Sequence, residues 1–248
     1  MNESKLGPFL PLLNDRLEPL GGRCIFAKVW GSWSHNTQLP ESDVDYLAVY
    51  QLPTQAILSL VDWPDTLDGK GPDFQAHEIG KFCRLLLKGN PGIVECLFTE
   101  RERLWTPEWQ ELCELREIFL NRQTLKSYLG YCDGQLHRLL AGTRLHSKGG
   151  GYNTKWAYHL IRLALDAERI AQGQPPVIFK EGEERETLMA IRRGDYSPDQ
   201  IERMFRDVEA RIRLLRPEER LPERADASML DIWLWRRRQE YMEGRLDG

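Results

Sequence analysis

The chain has no cysteines spaced as Cys-x-x-Cys. Its five, Cys24, Cys83, Cys96, Cys113 and Cys132, are odd in number, far apart and mostly set within apolar runs. That argues against a structural zinc site and a disulfide framework, and leaves buried free thiols in a reducing compartment. No apolar run approaches the ~20 residues that span a bilayer. The opening Met1-Asn2-Glu3-Ser4-Lys5 carries no signal-peptide pattern, so a cytoplasmic protein with no membrane partner is expected. Positive charge is not in excess either: 34 Lys and Arg stand against 38 Asp and Glu, a net −4. Any nucleic acid would have to meet a local patch rather than a global basic field. Internal repeats, low-complexity stretches and a convincing hydrolase triad are likewise missing.

What remains is an ordinary globular composition, 41% hydrophobic and 29% charged over 248 residues, enough for one large domain or two small ones. The reading is α+β. A broken N-terminal helix over 6–20 precedes strands near 24–30 and 43–50. A helix over 53–60 follows, then a turn-rich loop from Trp63 to Pro72, a strand over 73–77 and a helix over 79–88. Beyond residue 106 the periodicity is helical. The strongest segment is Asn153–Gln172, with Asn153 or Thr154 as its cap, and Ser197-Pro198 opens a helix over 198–215. Pro217 to Ala227 reads as a polar linker and Ser228 to Arg245 as a last helix.

The most informative stretch is Gly31-Ser32, ten residues, then Asp43-Val44-Asp45 running into Tyr46-Leu47-Ala48-Val49-Tyr50. Cys24 to Trp30 reads as a buried strand that ends on Gly31-Ser32, where the backbone can approach an anion closely. Side chains alternate along a strand, so Asp43 and Asp45 project the same way. Two like charges held that close call for a cation, and Mg²⁺, with Mn²⁺ as a substitute, suits carboxylate oxygens while leaving room for substrate phosphates. Phosphate and metal binding would then sit at neighbouring strand ends.

Gly31-Ser32-x10-Asp43-x-Asp45 resembles the signature of the DNA polymerase β-type nucleotidyltransferase superfamily. Lys81-Phe82-x-Arg84 through Lys88-Gly89-Asn90-Pro91, Glu95 and Lys155-Trp156-Ala157-Tyr158-His159-Leu160-Ile161-Arg162-Leu163 are similar to its YcgL/RlaP-type branch, some members of which are associated with RNA repair. The likeness runs from about residue 22 to about 215. The chain departs from the superfamily after Gly-Ser, with Trp33-Ser34-His35-Asn36 where small or basic residues are usual.

The resemblance implies a small mixed-sheet catalytic core over 1–105 and a helical domain over 106–248 completing the site. It implies a metal-dependent transfer of NMP from an NTP to a hydroxyl of RNA, tRNA or protein, with a catalytically idle nucleotide sensor as the alternative. Two-metal transfer uses a third carboxylate. The family's strand-into-Lys-Phe pattern points to Glu78, and strict alternation along 73–77 points to Asp73. Lys155, His159 and Arg162 line one helix face and, with Lys148 in the preceding Gly-rich loop, are the implied triphosphate ligands. Trp233-Leu234-Trp235-Arg236-Arg237-Arg238 reads either as a nucleic-acid-stacking segment or as a helix packing its Trp and exposing its Arg.

Overall fold

The structure is a computed structural model that describes residues 5–101, 103–145 and 152–242. Helix α1 (Phe9–Leu17) leads into β1 (Arg23–Trp30), the one-turn α2 (Gly31–Ser34), β2 (Asp45–Gln51), α3 (Thr54–Ile57), β3 (Thr66–Gly69), β4 (Phe74–Glu78) and α4 (Ile79–Leu87). Then come α5 (Pro91–Val94), β5 (Arg103–Trp105) and α6 (Pro107–Glu114). The chain ends in a run of helices: α7 (Arg122–Leu145), α8 (Thr154–Ala171), α9 (Gly182–Arg193), α10 (Pro198–Leu214), α11 (Pro217–Arg220) and α12 (Ala227–Glu240). The fold is α+β, as expected. No helix among the described residues is long and apolar enough to cross a membrane.

Two compact units divide these elements. One holds the described residues within Met1–Leu87, Cys96–Arg116 and Asp226–Gly248; the other holds Lys88–Glu95 and Glu117–Ala225. A single division at 105/106 misses the return of α12 to the sheet.

In the first unit the strands lie in the order β3-β4-β2-β1-β5. β1 runs antiparallel to β2 and β5, β2 is parallel to β4, and β3 is antiparallel to β4. Both faces of the central strands are buried, which is why β1 and β2 read as nearly continuous apolar runs. On one face Ala27, Val29, Tyr46, Ala48, Phe74 and Ala76 pack with Phe9, Leu13 and Leu17 of α1. Phe9 stacks on Tyr46 with ring centroids 4.5 Å apart and tilts against Phe74 at 5.4 Å. On the other face Phe26 stacks on Trp109 of α6 at 3.8 Å, and Phe82 of α4 meets the same indole at 5.3 Å. β3, read in sequence as turn-rich loop, is a short edge strand with little apolar content. β5 and α5 are likewise too short to carry a period.

α12 closes the end of the sheet where β2 and β4 finish. Arg238 grips Glu78, the last residue of β4, with both guanidinium nitrogens at 2.6 and 2.7 Å. The Gly80 N–H donates to the same carboxylate at 2.7 Å. Gln51 donates to the Arg237 carbonyl at 2.7 Å, and the Thr54 N–H donates to that of Tyr241 at 3.1 Å. Those bonds tie the end of α12, where the Arg237 carbonyl also accepts from the Tyr241 N–H at 3.3 Å, to β2 and α3.

In the second unit α8 is the central helix, packed by α7, α9 and α10. Asn153 caps it by accepting from the Lys155 N–H, and Ser197 and Gln200 form a reciprocal capping box on α10. The cysteines are free thiols, and burial pushes Cys24 and Cys83 up to about 12, so they are poor nucleophiles.

Arg238→Met would leave the buried Glu78 carboxylate without its counter-charge. The expected loss is about 3 kcal/mol of unfolding free energy, read as a lower urea midpoint with an unchanged slope. An unchanged midpoint would remove the clamp from this account.

Candidate active site

β1 ends at Trp30, which pairs directly with Asp45, the first residue of β2. The chain then turns sharply: Gly31 has φ +66°, a conformation open to glycine and strained for other residues. The turn also needs glycine for space, because a Cβ there would lie 2.6 Å from Asp45 Oδ2. The Asp45 carboxylate therefore lies directly against the Gly-Ser backbone. Trp33 stands where the superfamily usually has a small or basic residue, and its indole donates to the Ser42 carbonyl at 3.1 Å. That bond ties α2 to the segment entering Asp43. Thr37 N–H donates to the Ser32 carbonyl at 2.9 Å and tightens the same loop.

Asp43 is exposed and precedes the strand, which begins at Asp45. Val44 between them packs toward the α1 core, so alternation turns the flanking acids to the opposite side. Asp73 stands immediately before β4, and its carbonyl accepts from the Tyr46 N–H at 3.0 Å. Tyr46 and Phe74 are register partners facing α1, and the residue before each, Asp45 and Asp73, belongs to the other face. Asp45 begins β2, Asp43 lies two residues before it, and Asp73 immediately precedes the parallel β4, so the three acids stand at the same end of the sheet.

Glu78 is at the wrong end. It lies five residues along β4, roughly 16 Å from Asp73 at the rise of an extended strand. It is also buried and held by Arg238, and it sits on the α1 side by alternation. The structure places Glu78, expected as a third metal carboxylate, in the α12 clamp and apart from Asp43 and Asp45.

The donor set of Asp43, Asp45 and Asp73 consists of hard carboxylate oxygens, which fits Mg²⁺ or Mn²⁺ chemically. Among the described residues no three His, Cys, Asp or Glu side chains converge on one point. Mg²⁺ is commonly held by one or two carboxylates together with substrate phosphates, so the arrangement is compatible with a metal that arrives with its nucleotide.

The profile of the RlaP family, described as an RNA repair pathway DNA polymerase beta family, matches residues 14–236. The chain belongs to that family. No curated protein matches it. Membership in the RlaP family suggests a nucleotidyltransferase, and polymerase β-type enzymes generally use divalent metals.

The second unit carries the other candidates of this RlaP-family chain. Arg162 is fully committed to structure: its guanidinium donates to Glu95 at 2.6 Å and lies 3.7 Å from Asp166. Lys180, wholly buried, pairs with Asp166 at 2.9 Å and Glu184 at 2.7 Å, and Arg169 bonds the same two acids. Three cations thus match three carboxylates, a balance that burial demands. The structure places Arg162, expected as a phosphate ligand, within this buried network. Lys155 is exposed. His159 is held near 3 by burial first, then by the Arg162, Lys155 and Arg192 charges. Lys148 lies outside the described residues.

The Trp233–Arg238 segment is corrected as well. Trp233 is buried, as one reading has it, but Arg237 and Arg238 turn inward to Glu111, Glu240 and Glu78. Only Trp235 and Arg236 remain exposed. Sequence reasoning missed the partners of Arg238 and the buried Lys28, which are 160 and 71 residues away, and missed Lys180, whose i,i+4 spacing to Glu184 was the one local signal.

Gly31→Ala should lower stability by about 1–2 kcal/mol through left-handed strain and displace Asp45. Urea unfolding and Mn²⁺ titration together check both effects, and a variant normal in both would show that the turn has slack. For His159 the folded value lies below the unfolded ~6.5. Its stabilising contribution is therefore complete above that pH and is lost as pH falls toward 3. His159→Gln should flatten the fall in urea midpoint between pH 7 and pH 5, and an imidazole NMR titration near 6.5 would contradict the assignment.

Proposed function

We propose that this chain is a metal-dependent nucleotidyltransferase that moves NMP from an NTP to an acceptor hydroxyl and releases pyrophosphate. The observation that carries the reading is the contact of the Asp45 carboxylate with the Gly31 backbone, with Asp73 beginning the adjacent strand. Asp45 and Asp43, with Asp73 in the third position, would hold the cation. When bound, a divalent ion supplies neutralisation of the triphosphate charge that builds on the leaving pyrophosphate.

The chain's own groups do the rest. The Gly31-Ser32 turn, with the Ser32 hydroxyl, would offer backbone N–H groups to phosphate oxygens beside the Asp45 carboxylate. Trp33, fixed to Ser42, holds that turn against the acids. Asp73, exposed just before β4, would accept the proton of the attacking hydroxyl. Attack on the α-phosphorus then needs only alignment of the two substrates, the effect that positioning supplies best. An RNA end is the acceptor we favour, because the family's own description places it in RNA repair.

Asp45→Asn should reduce transfer of label from NTP radiolabelled at the α-phosphorus by about a hundredfold or more, with total RNA as acceptor and Mg²⁺ present. Asp73→Asn should also lose activity, whereas Glu78→Gln, assayed per folded molecule, should not. Transfer that survives Asp45→Asn would end the metal assignment. Tight NTP binding without transfer to any RNA or protein fraction would identify a nucleotide sensor instead.

A further inference from the structure

Exposed apolar side chains crowd into the segment between α3 and β3. Ile57, Leu58, Leu60 and Val61 are all exposed, and Leu60 is fully open to solvent at 106%. Their backbone is nonetheless held in place. The Ser59 hydroxyl donates to the Ala56 carbonyl at 2.8 Å and accepts from the Trp63 indole at 2.9 Å, and the Leu58 N–H donates to the Thr54 carbonyl at 3.0 Å. A loop built to hold apolar groups in water marks a contact surface. The same segment leads into an open sheet edge, because β3 is the outermost strand beyond β4. The Glu78 N–H donates to the Asp65 carbonyl, so Asp65, Leu67 and Gly69 turn their backbone groups to β4. By alternation Thr66 and Asp68 turn theirs outward along the edge. The two ends of the edge differ in charge: exposed Asp62 and Asp65 precede β3, and exposed Lys70 follows it. Gly71, next along, faces open space.

We propose that this edge is an interface between two copies of the chain, in which β3 pairs antiparallel with β3 of a second copy across a two-fold axis. An antiparallel partner must present outward backbone groups in reverse order, and a second β3 does so. With Thr66 opposite Asp68 the two exchange both backbone bonds, twice by symmetry, and Leu67 meets its own copy. A slide of two residues would set Asp68 opposite Asp68 and oppose like charges. The favoured register places Lys70 of one copy opposite Pro64 of the other and diagonal to Asp62, a spacing that long side chains span. Acidic end then meets basic end on both sides of the axis. Leu60 and Val61, just before Asp62, come to lie over the Lys70–Pro72 turn of the second copy, where the lysine stem covers them. Four paired residues are a short ladder, so burial of the apolar loop carries the association. The acids beside the loop speak against a membrane as its occupant, since anionic lipid repels them.

The test is sedimentation equilibrium of the full chain without nucleotide or metal. Wild type should follow a monomer–dimer equilibrium. Leu60→Asp should weaken dimerisation about tenfold or more, with an unchanged circular dichroism spectrum because the side chain is solvent-exposed in the monomer. Lys70→Glu and Asp62→Lys should each weaken it about threefold, and the two substitutions together should restore it, since the pair is then reversed intact. A loss caused by misfolding would not be repaired by a second substitution. Wild type that stays monomeric up to about 100 μM overturns the interface, and a monomer that binds anionic vesicles through Leu60 gives the loop to a membrane instead. A dimer indifferent to Leu60→Asp, or a double reversal no tighter than the single ones, overturns the pairing through β3.

Discussion

Repulsion between like charges at one end of a sheet is the constraint from which the active-site reading follows. Asp45 begins β2, Asp73 immediately precedes the neighbouring parallel β4, and Asp43 stands two residues before Asp45. Like charges gathered at one strand end favour a nearby cation. The glycine turn belongs to the same constraint. Its missing Cβ leaves room for the Asp45 carboxylate to lie on the backbone, where any larger side chain would push it away. The glycine turn and the Asp45 carboxylate are thus one piece of geometry, and a change to Gly31 is a change to Asp45.

The two ends of β4 show how environment assigns roles to identical chemistry. Asp73 immediately precedes this five-residue strand and Glu78 ends it. Asp73 is exposed at the end where β2 begins, and its charge costs little to keep. Glu78 is buried, and its charge is tolerable only because Arg238 and the Gly80 N–H supply bonds to both oxygens. The same rule governs the second unit, where Arg162, Lys180 and Arg169 are matched by Glu95, Asp166 and Glu184. Buried charges here hold elements together, and exposed ones remain open to ligands.

Much of this was legible in the residues. The alternation of Asp73-Phe74-Gln75-Ala76-His77 and the Gly-Ser to Asp-x-Asp spacing carry the site because period two and turn chemistry are local properties. The caps of α8 and α10 are legible for the same reason: Asn153 and Ser197 bond to N–H groups two and three residues on. What sequence cannot carry is partnership over distance. Glu78 and Arg238 are 160 residues apart, Arg162 and Glu95 are 67 apart, and nothing in either neighbourhood names the other. Arg162 at helical spacing from Lys155 and His159 looks like a ligand for this reason, although its side chain is turned into the core. β3 and β5 fail differently, being edge strands of four and three residues with too few side chains to show a period.

The site is also fixed by packing that has no chemistry of its own. Tyr46 stacks on Phe9, and Phe74 meets the same ring, so both strands are pinned in register by aromatic residues immediately after their acids. A slip of one residue in either strand would remove its tyrosine or phenylalanine from Phe9 and turn its aspartate toward the α1 core. The cost of burying an unpaired carboxylate there is several kcal/mol, and the lost aromatic burial adds to it. Core packing and acid placement therefore select the same register. The hydrophobic face of the sheet orients the acids as firmly as any hydrogen bond would, and it does so before any metal or nucleotide is present.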